Sequence, residues 1–104
     1  MRITFLACYA PHAMKGLIAG SDRKAAIDSI LGSVGGTLES VMFTRGEFDI
    51  AVVADVPNRE DGMGLMMAIQ SSGAFSRVSL LEELDMAPVI AAAQKAAKVY
   101  EPAG

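Results

Sequence analysis

The stretch Val41–Val56, VMFTRGEFDIAVVADV, limits what this chain can fold into more than any other. Val41, Met42 and Phe43 form a compact apolar run. Thr44 through Phe48 interrupt it with a glycine and two opposite charges, and Ile50 through Val56 resume it with β-branched residues. Two β-favouring runs around a short glycine-containing segment predict a hairpin with a tight turn at Arg45-Gly46-Glu47. Gly46 supplies the positive φ that such a connection needs. In the second strand Ile50, Val52, Ala54 and Val56 point one way, and Ala51 and Val53 the other. No charge falls between Asp49 and Asp55. A strand apolar on both faces belongs in the middle of a sheet that is covered on both sides.

The remaining elements follow from periodicity and caps. Ile3 to Tyr9 alternates as a strand, with Ile3, Phe5, Ala7 and Tyr9 on one face and Thr4, Leu6 and Cys8 on the other. It too is apolar on both sides and is placed centrally. Pro11 breaks the chain after it, and Gly16 and Gly20 hold the next segment to a short helical turn. Ser21 is the expected cap of a first helix whose stripe is Ile27, Ile30, Leu31 and Val34, ended by Gly35-Gly36. Thr37 to Thr44 is a more polar strand suited to an edge. Asn58 is the expected cap of a second helix with Met63, Met66, Met67 and Ile69 on its buried side. Val78 to Glu83 is a second edge strand. Asp85 opens a last helix, about residues 86–100, with Pro88 in its first turn and a narrow stripe of Val89, Ala93, Ala96 and Tyr100.

The order β-α-β-β-α-β-α with right-handed crossovers is an α+β, ferredoxin-like βαββαβ plan with an added C-terminal helix. Its four-stranded antiparallel sheet runs in the order 4-1-3-2. That plan makes the first and third strands central, as their face polarity independently requires. It also puts both crossover helices on one sheet face. Cover for the other face must come from the last helix or from a second copy of the sheet.

The totals point to the second copy. The chain has 104 residues, 52% of them hydrophobic, and a mean hydropathy of +0.36. One domain of this size buries only roughly 65% of the surface its unfolded chain exposes, so a homo-oligomer, dimer or higher, is expected. The net charge of −3 leaves no basic stripe for nucleic acid and no polybasic cluster for an anionic membrane. Cys8 is the single cysteine, which excludes an internal disulfide framework. The N-terminal MRITFLACYA is read as a strand rather than a leader, with cytoplasm as the expected location.

The segment Thr44-Arg45-Gly46-Glu47-Phe48-Asp49, followed by IAVVADVP, resembles the signature of the GYD-domain family, Gly-x-Tyr-Asp before an apolar strand. Phe48 stands where that family usually has tyrosine, which removes a hydroxyl and any role that depends on it. The likeness runs from the first strand to about Glu83. It implies a ferredoxin-like fold in the dimeric α/β-barrel superfamily. That superfamily includes haem-degrading and antibiotic-biosynthesis monooxygenases and the ligand-binding domains of AsnC-type regulators, which carry a similar hairpin near an inter-subunit effector site.

No catalytic residue, metal site or cofactor declares itself. Tyr9, His12, Lys15, Arg45, Glu47 and Asp49 are the candidate ligand-binding residues, gathered by the plan at one end of the sheet. His12 is the only histidine and is a base or haem ligand by chemistry, yet loop histidines are most often simply solvated. Arg45, Glu47 and Asp49 can clamp a small polar ligand. Alternatively they form a solvated turn in which Asp49 accepts from backbone amides. Asp22, Asp28, Glu60 and Asp61 fall on separate helices without a ligand loop and read as caps. The leading expectation is a small binding or assembly module holding a small ligand near the first-strand loop and the hairpin. The alternatives are a monooxygenase-like enzyme with an apolar substrate between sheet and helices, and a stand-alone AsnC-type effector-binding domain.

Overall fold

The computed structural model describes residues 1–103. Among them run β1 (Arg2–Tyr9), α1 (Pro11–Ile18), α2 (Arg23–Gly32), β2 (Thr37–Phe43), β3 (Ile50–Asp55), α3 (Arg59–Ser71), β4 (Phe75–Glu82) and α4 (Met86–Ala97). The sheet is antiparallel throughout, in the order β2-β3-β1-β4. This is the expected ferredoxin-like order read from the opposite edge, with the two doubly apolar strands in the centre. No helix among the described residues is long and apolar enough to cross a membrane.

Side-chain alternation sorts the sheet into two faces. Ile3, Ala7, Tyr9, Ile50, Val52 and Ala54 are buried on one face, and α1, α2 and α3 lie over them through Ala13, Leu17, Ile27, Leu31 and Leu65. Pairing of Leu6 with Ala51 and Ser79, Thr4 with Val53 and Leu81, and Met42 with Ala51 puts these residues together on the opposite face.

Helix ends are set by local chemistry, with some shifts from expectation. The cap of α2 is Asp22, not Ser21; its carboxylate accepts the Ala25 N–H at 3.1 Å. Beyond α2 the Gly35 N–H reaches the Gly32 carbonyl, and the Gly36 N–H reaches the Leu31 carbonyl at 2.8 Å. This paired closure requires the φ of +76° that Gly35 adopts. The Ala10–Gly20 segment forms a two-turn helix, longer than a single turn, opened by Pro11 in the position where its missing N–H costs nothing. Asn58 caps α3 as expected, accepting the Asp61 N–H at 2.9 Å.

The buried face of α3 differs from the methionine stripe. Gly62 and Leu65 are buried, with Met66 and Ile69 half-buried, while Met63 is 60% and Met67 74% exposed. The Asn58 cap fixes where the helix starts and brings Gly62 against Val56, where a Cβ would lie 3.7 Å from Val56 Cγ2. That rotation turns Met63 and Met67 to the surface. β4 starts three residues earlier than expected, at Phe75, because it continues to pair with β1 beyond a register shift at Cys8/Tyr9.

The last helix covers nothing. α4 has no buried residue, and Met86, Val89 and Ile90 are exposed on it. The radius of gyration is 17.7 Å and the longest extent 59 Å, against roughly 13 Å for the gyration radius of a compact 100-residue domain. The α4 stripe is exposed, and on the second sheet face Met42 and Leu81 are exposed while Thr4, Leu6, Ala51 and Val53 are only half-buried.

Candidate functional site

The site is built where β1 loses its regular register. Between Cys8 and Tyr9 the pairing with β4 shifts by one residue, so Tyr9 lies opposite Phe75. Their ring centroids are 5.0 Å apart, and Phe5 meets Phe75 edge-on at 5.5 Å. The three rings make one wall of a cavity of about 180 Å³ beneath the helices. Ile27 and Ile30 from α2 and Leu65, Met66 and Ile69 from α3 close it above; Ile3, Val52 and Ala54 form the sheet floor.

Two polar groups face this apolar space. Tyr9 is only 7% exposed, and its hydroxyl makes no hydrogen bond among the described residues. Burial pushes that hydroxyl above its ordinary pKa of 10.0; the Arg23 cation acts in the opposite direction and the Asp49 carboxylate adds to the rise. Arg23 stands at the start of α2 and lines the cavity with its Nε buried and without a partner. An unmet buried N–H of this kind is costly unless a ligand or water takes it.

Of the six candidate residues, the cavity takes in Tyr9 alone. Asp49 supports it from behind, since its carboxylate accepts the Tyr9 backbone N–H at 3.0 Å. The hairpin is not a tight turn at residues 45–47 but a loop across residues 44–49. It is tied by Thr44 N–H to the Asp49 carbonyl at 2.8 Å and by Thr44 Oγ1 to the Phe48 carbonyl at 2.6 Å. Gly46 has a φ of +136° there. The loop leans over the far end of the sheet. Glu47 pairs with Arg77 at 2.7 Å, the Arg77 guanidinium sits 4.7 Å from the Phe48 ring centre, and Cys8 Sγ donates to the Glu47 carbonyl at 3.1 Å. Glu47 is thus engaged in holding the loop. His12 and Lys15 are exposed on α1, and Arg45 is exposed in the loop. Among the described residues no group of three or more His, Cys, Asp or Glu is placed to hold a metal ion.

The residue that sequence reasoning passed over is Arg23. It lies four positions before Ile27, on the same face of α2 as the apolar stripe. A cation continuing a buried stripe was the available signal. Phe75 was missed because its strand was expected to begin three residues later.

The fold has a solved counterpart in the crystal structure of FFRP-DM1. The two align with a TM-score of 0.54 at 15% identity, over 80% of this chain and 97% of that one. A second similar structure, that of PH0061, has a TM-score of 0.46 at 16% identity, over 82% of this chain and 53% of the other. No curated protein sequence matches the chain. The GYD domain matches residues 4–93, from the first strand into α4. With most of its length accounted for in this way, and although Phe48 replaces the tyrosine of the signature, the chain belongs to the GYD domain family.

Proposed function

We propose that this protein is a self-assembling small-molecule-binding module. A second copy of the chain covers the open sheet face and the α4 stripe, and each subunit keeps the cavity beneath its own helices for a small apolar ligand. The observation that carries the reading is the open face itself. Its centre is Thr4, Leu6, Ala51, Val53, Met42 and Leu81, and α4 buries no residue against it.

Charge selects the occupant. The cations at the rims of this face are already paired within the chain. Arg2 pairs with Glu39 at 2.8 Å and with Glu83 at 3.6 Å, Arg77 with Glu47 at 2.7 Å. A face with an apolar centre and internally paired rims offers nothing to a strongly charged partner, and is complementary to another face of its own kind. α4 adds a second reason. Isolated helices shorter than ~12–15 residues are marginal in water, and α4 has 12 residues; a partner surface along Met86, Val89 and Ile90 would stabilise it. The reading extends to a cytoplasmic location, in keeping with one free cysteine and a net charge of −3.

Sedimentation equilibrium and light scattering test the assembly. The full chain should be a dimer or larger at micromolar concentration. Leu81→Glu and Met42→Glu should shift it to monomer, because each side chain is about half exposed in the lone subunit, at 51% and 58%, and a charge in the joint would have to be desolvated. Ile18→Glu, on the outer side of α1, should leave association unchanged. A monomeric wild type refutes the proposal.

A further inference from the structure

The cavity beneath the helices is apolar almost throughout, yet its two polar groups are of a particular kind. Arg23 contributes a guanidinium that forms no salt bridge among the described residues and whose Nε is buried without a partner there. Tyr9, a residue more than nine-tenths buried, contributes a hydroxyl that is still accessible and has no hydrogen-bond partner among the described residues. The nearby carboxylate, Asp49, is turned to the Tyr9 backbone N–H and leaves the guanidinium unneutralised. A guanidinium presents donors in a planar fork that matches the two oxygens of a carboxylate, and a tyrosine hydroxyl supplies one further donor.

Size sets the rest of the ligand. An apolar cavity of about 150 Å³ holds a benzene-sized molecule, and this one measures about 180 Å³. The wall of Phe5, Tyr9 and Phe75 offers ring faces and edges to a flat apolar group.

We infer that the cavity is a binding site for a small monocarboxylate whose apolar body is about one aromatic ring in size, its carboxylate held by Arg23 and the Tyr9 hydroxyl and its ring against Phe75. Arg23 is the specificity-determining residue: it makes the site prefer the anion over a neutral molecule of the same shape. This rests on the reading of the cavity as a small-molecule site, and goes past it in naming the ligand's chemistry.

The test uses the full chain at neutral pH with two probes of equal size, phenylacetate and its neutral counterpart 2-phenylethanol, followed by calorimetry and by ligand-observed NMR. Phenylacetate should bind the wild type more tightly. Arg23→Gln should weaken phenylacetate roughly tenfold to a hundredfold while leaving 2-phenylethanol within about twofold, since a hydrogen bond to a charged group is lost in one case only. Tyr9→Phe keeps the ring and should weaken phenylacetate by a smaller factor. Far-UV circular dichroism of each variant shows that the fold is retained, and the two variants act on the site from different elements, so a folding failure in one leaves the other to decide. Equal binding of both probes by the wild type, or an unchanged phenylacetate affinity in Arg23→Gln, overturns the carboxylate assignment but leaves the cavity as a small-molecule site. Binding of neither probe overturns the carboxylate assignment and counts against that site as well, while the oligomeric state measured separately still decides the assembly.

Discussion

Two glycines, Gly36 and Gly64, provide a test in which one substitution has opposite effects. A Cβ on Gly36 would lie 3.1 Å from the Asp55 carbonyl oxygen, 3.2 Å from the Leu31 carbonyl oxygen and 3.3 Å from Leu31 Cδ2. Two of these three neighbours are backbone, and the Leu31 carbonyl is held by the Gly36 N–H itself at 2.8 Å, so it cannot withdraw without stretching that bond. Crowding a packed site in this way costs about 1–3 kcal/mol. The lost unfolded-state freedom of glycine returns ~0.4–1 kcal/mol, so Gly36→Ala should destabilise by roughly 1–2 kcal/mol. A Cβ on Gly64 meets nothing within 4 Å. Gly64 sits inside α3, where alanine is favoured over glycine by about 0.8–1 kcal/mol. In a domain of this size each kcal/mol moves the melting temperature by roughly 4–8 °C. Gly36→Ala should therefore melt about 5–15 °C lower, and Gly64→Ala about 4–8 °C higher. Thermal unfolding followed by circular dichroism measures both, at one fixed protein concentration because association adds to apparent stability. Shifts of the same sign in the two variants, or a Gly36→Ala protein as stable as wild type, would refute the close approach of the α2 exit to β3.

Removing the Asp49 carboxylate strips the half-buried Tyr9 N–H of its acceptor. Asp49→Ala should lose about 1–3 kcal/mol in urea unfolding and Asp49→Asn less, because an amide oxygen can still accept; equal losses would count against the bond. The raised Tyr9 pKa has a definite sign. The folded chain keeps a proton that the unfolded chain releases near the ordinary 10.0, so this contribution is complete below pH 10 and is lost as the pH rises through the folded value. Stability measured across pH 9–12 should fall, and Tyr9→Phe should flatten that fall; an identical profile in the variant would exclude Tyr9 as its source. A chain ending at Leu84 should still unfold cooperatively, because α4 buries nothing, and should associate more weakly than the full chain. Loss of cooperative unfolding would show that α4 belongs to the core.

The solved likeness to FFRP-DM1 reaches the fold and stops there, at 15% identity. What distinguishes this chain lies in side chains: the Arg23 and Tyr9 pair within an apolar cavity, and a sheet face whose rim cations are paired within the chain. In the hairpin, Phe48 makes a different contact from any that a tyrosine hydroxyl would make, receiving the Arg77 guanidinium over its ring.

The sequence alone determined the element order, the central position of β1 and β3, the stop of α2 at Gly35-Gly36 and the start of α3 at Asn58. These depend on interactions between residues close along the chain: alternation along a strand, a carboxamide reaching an N–H three residues on, a glycine taking positive φ. Tertiary structure alone decided the rotation of α3 that buries Gly62 and Leu65 and turns Met63 and Met67 outward, the register shift that sets Tyr9 beside Phe75, and the entry of Arg23 into the cavity. Each of these is fixed by packing between segments distant in sequence, and a helical stripe or strand pattern is blind to a rotation of a few tens of degrees or a slip of one residue. The course of α4 belongs with them: its own pattern says that it is amphipathic, and only the position of everything else shows that its apolar side has been left without a neighbour.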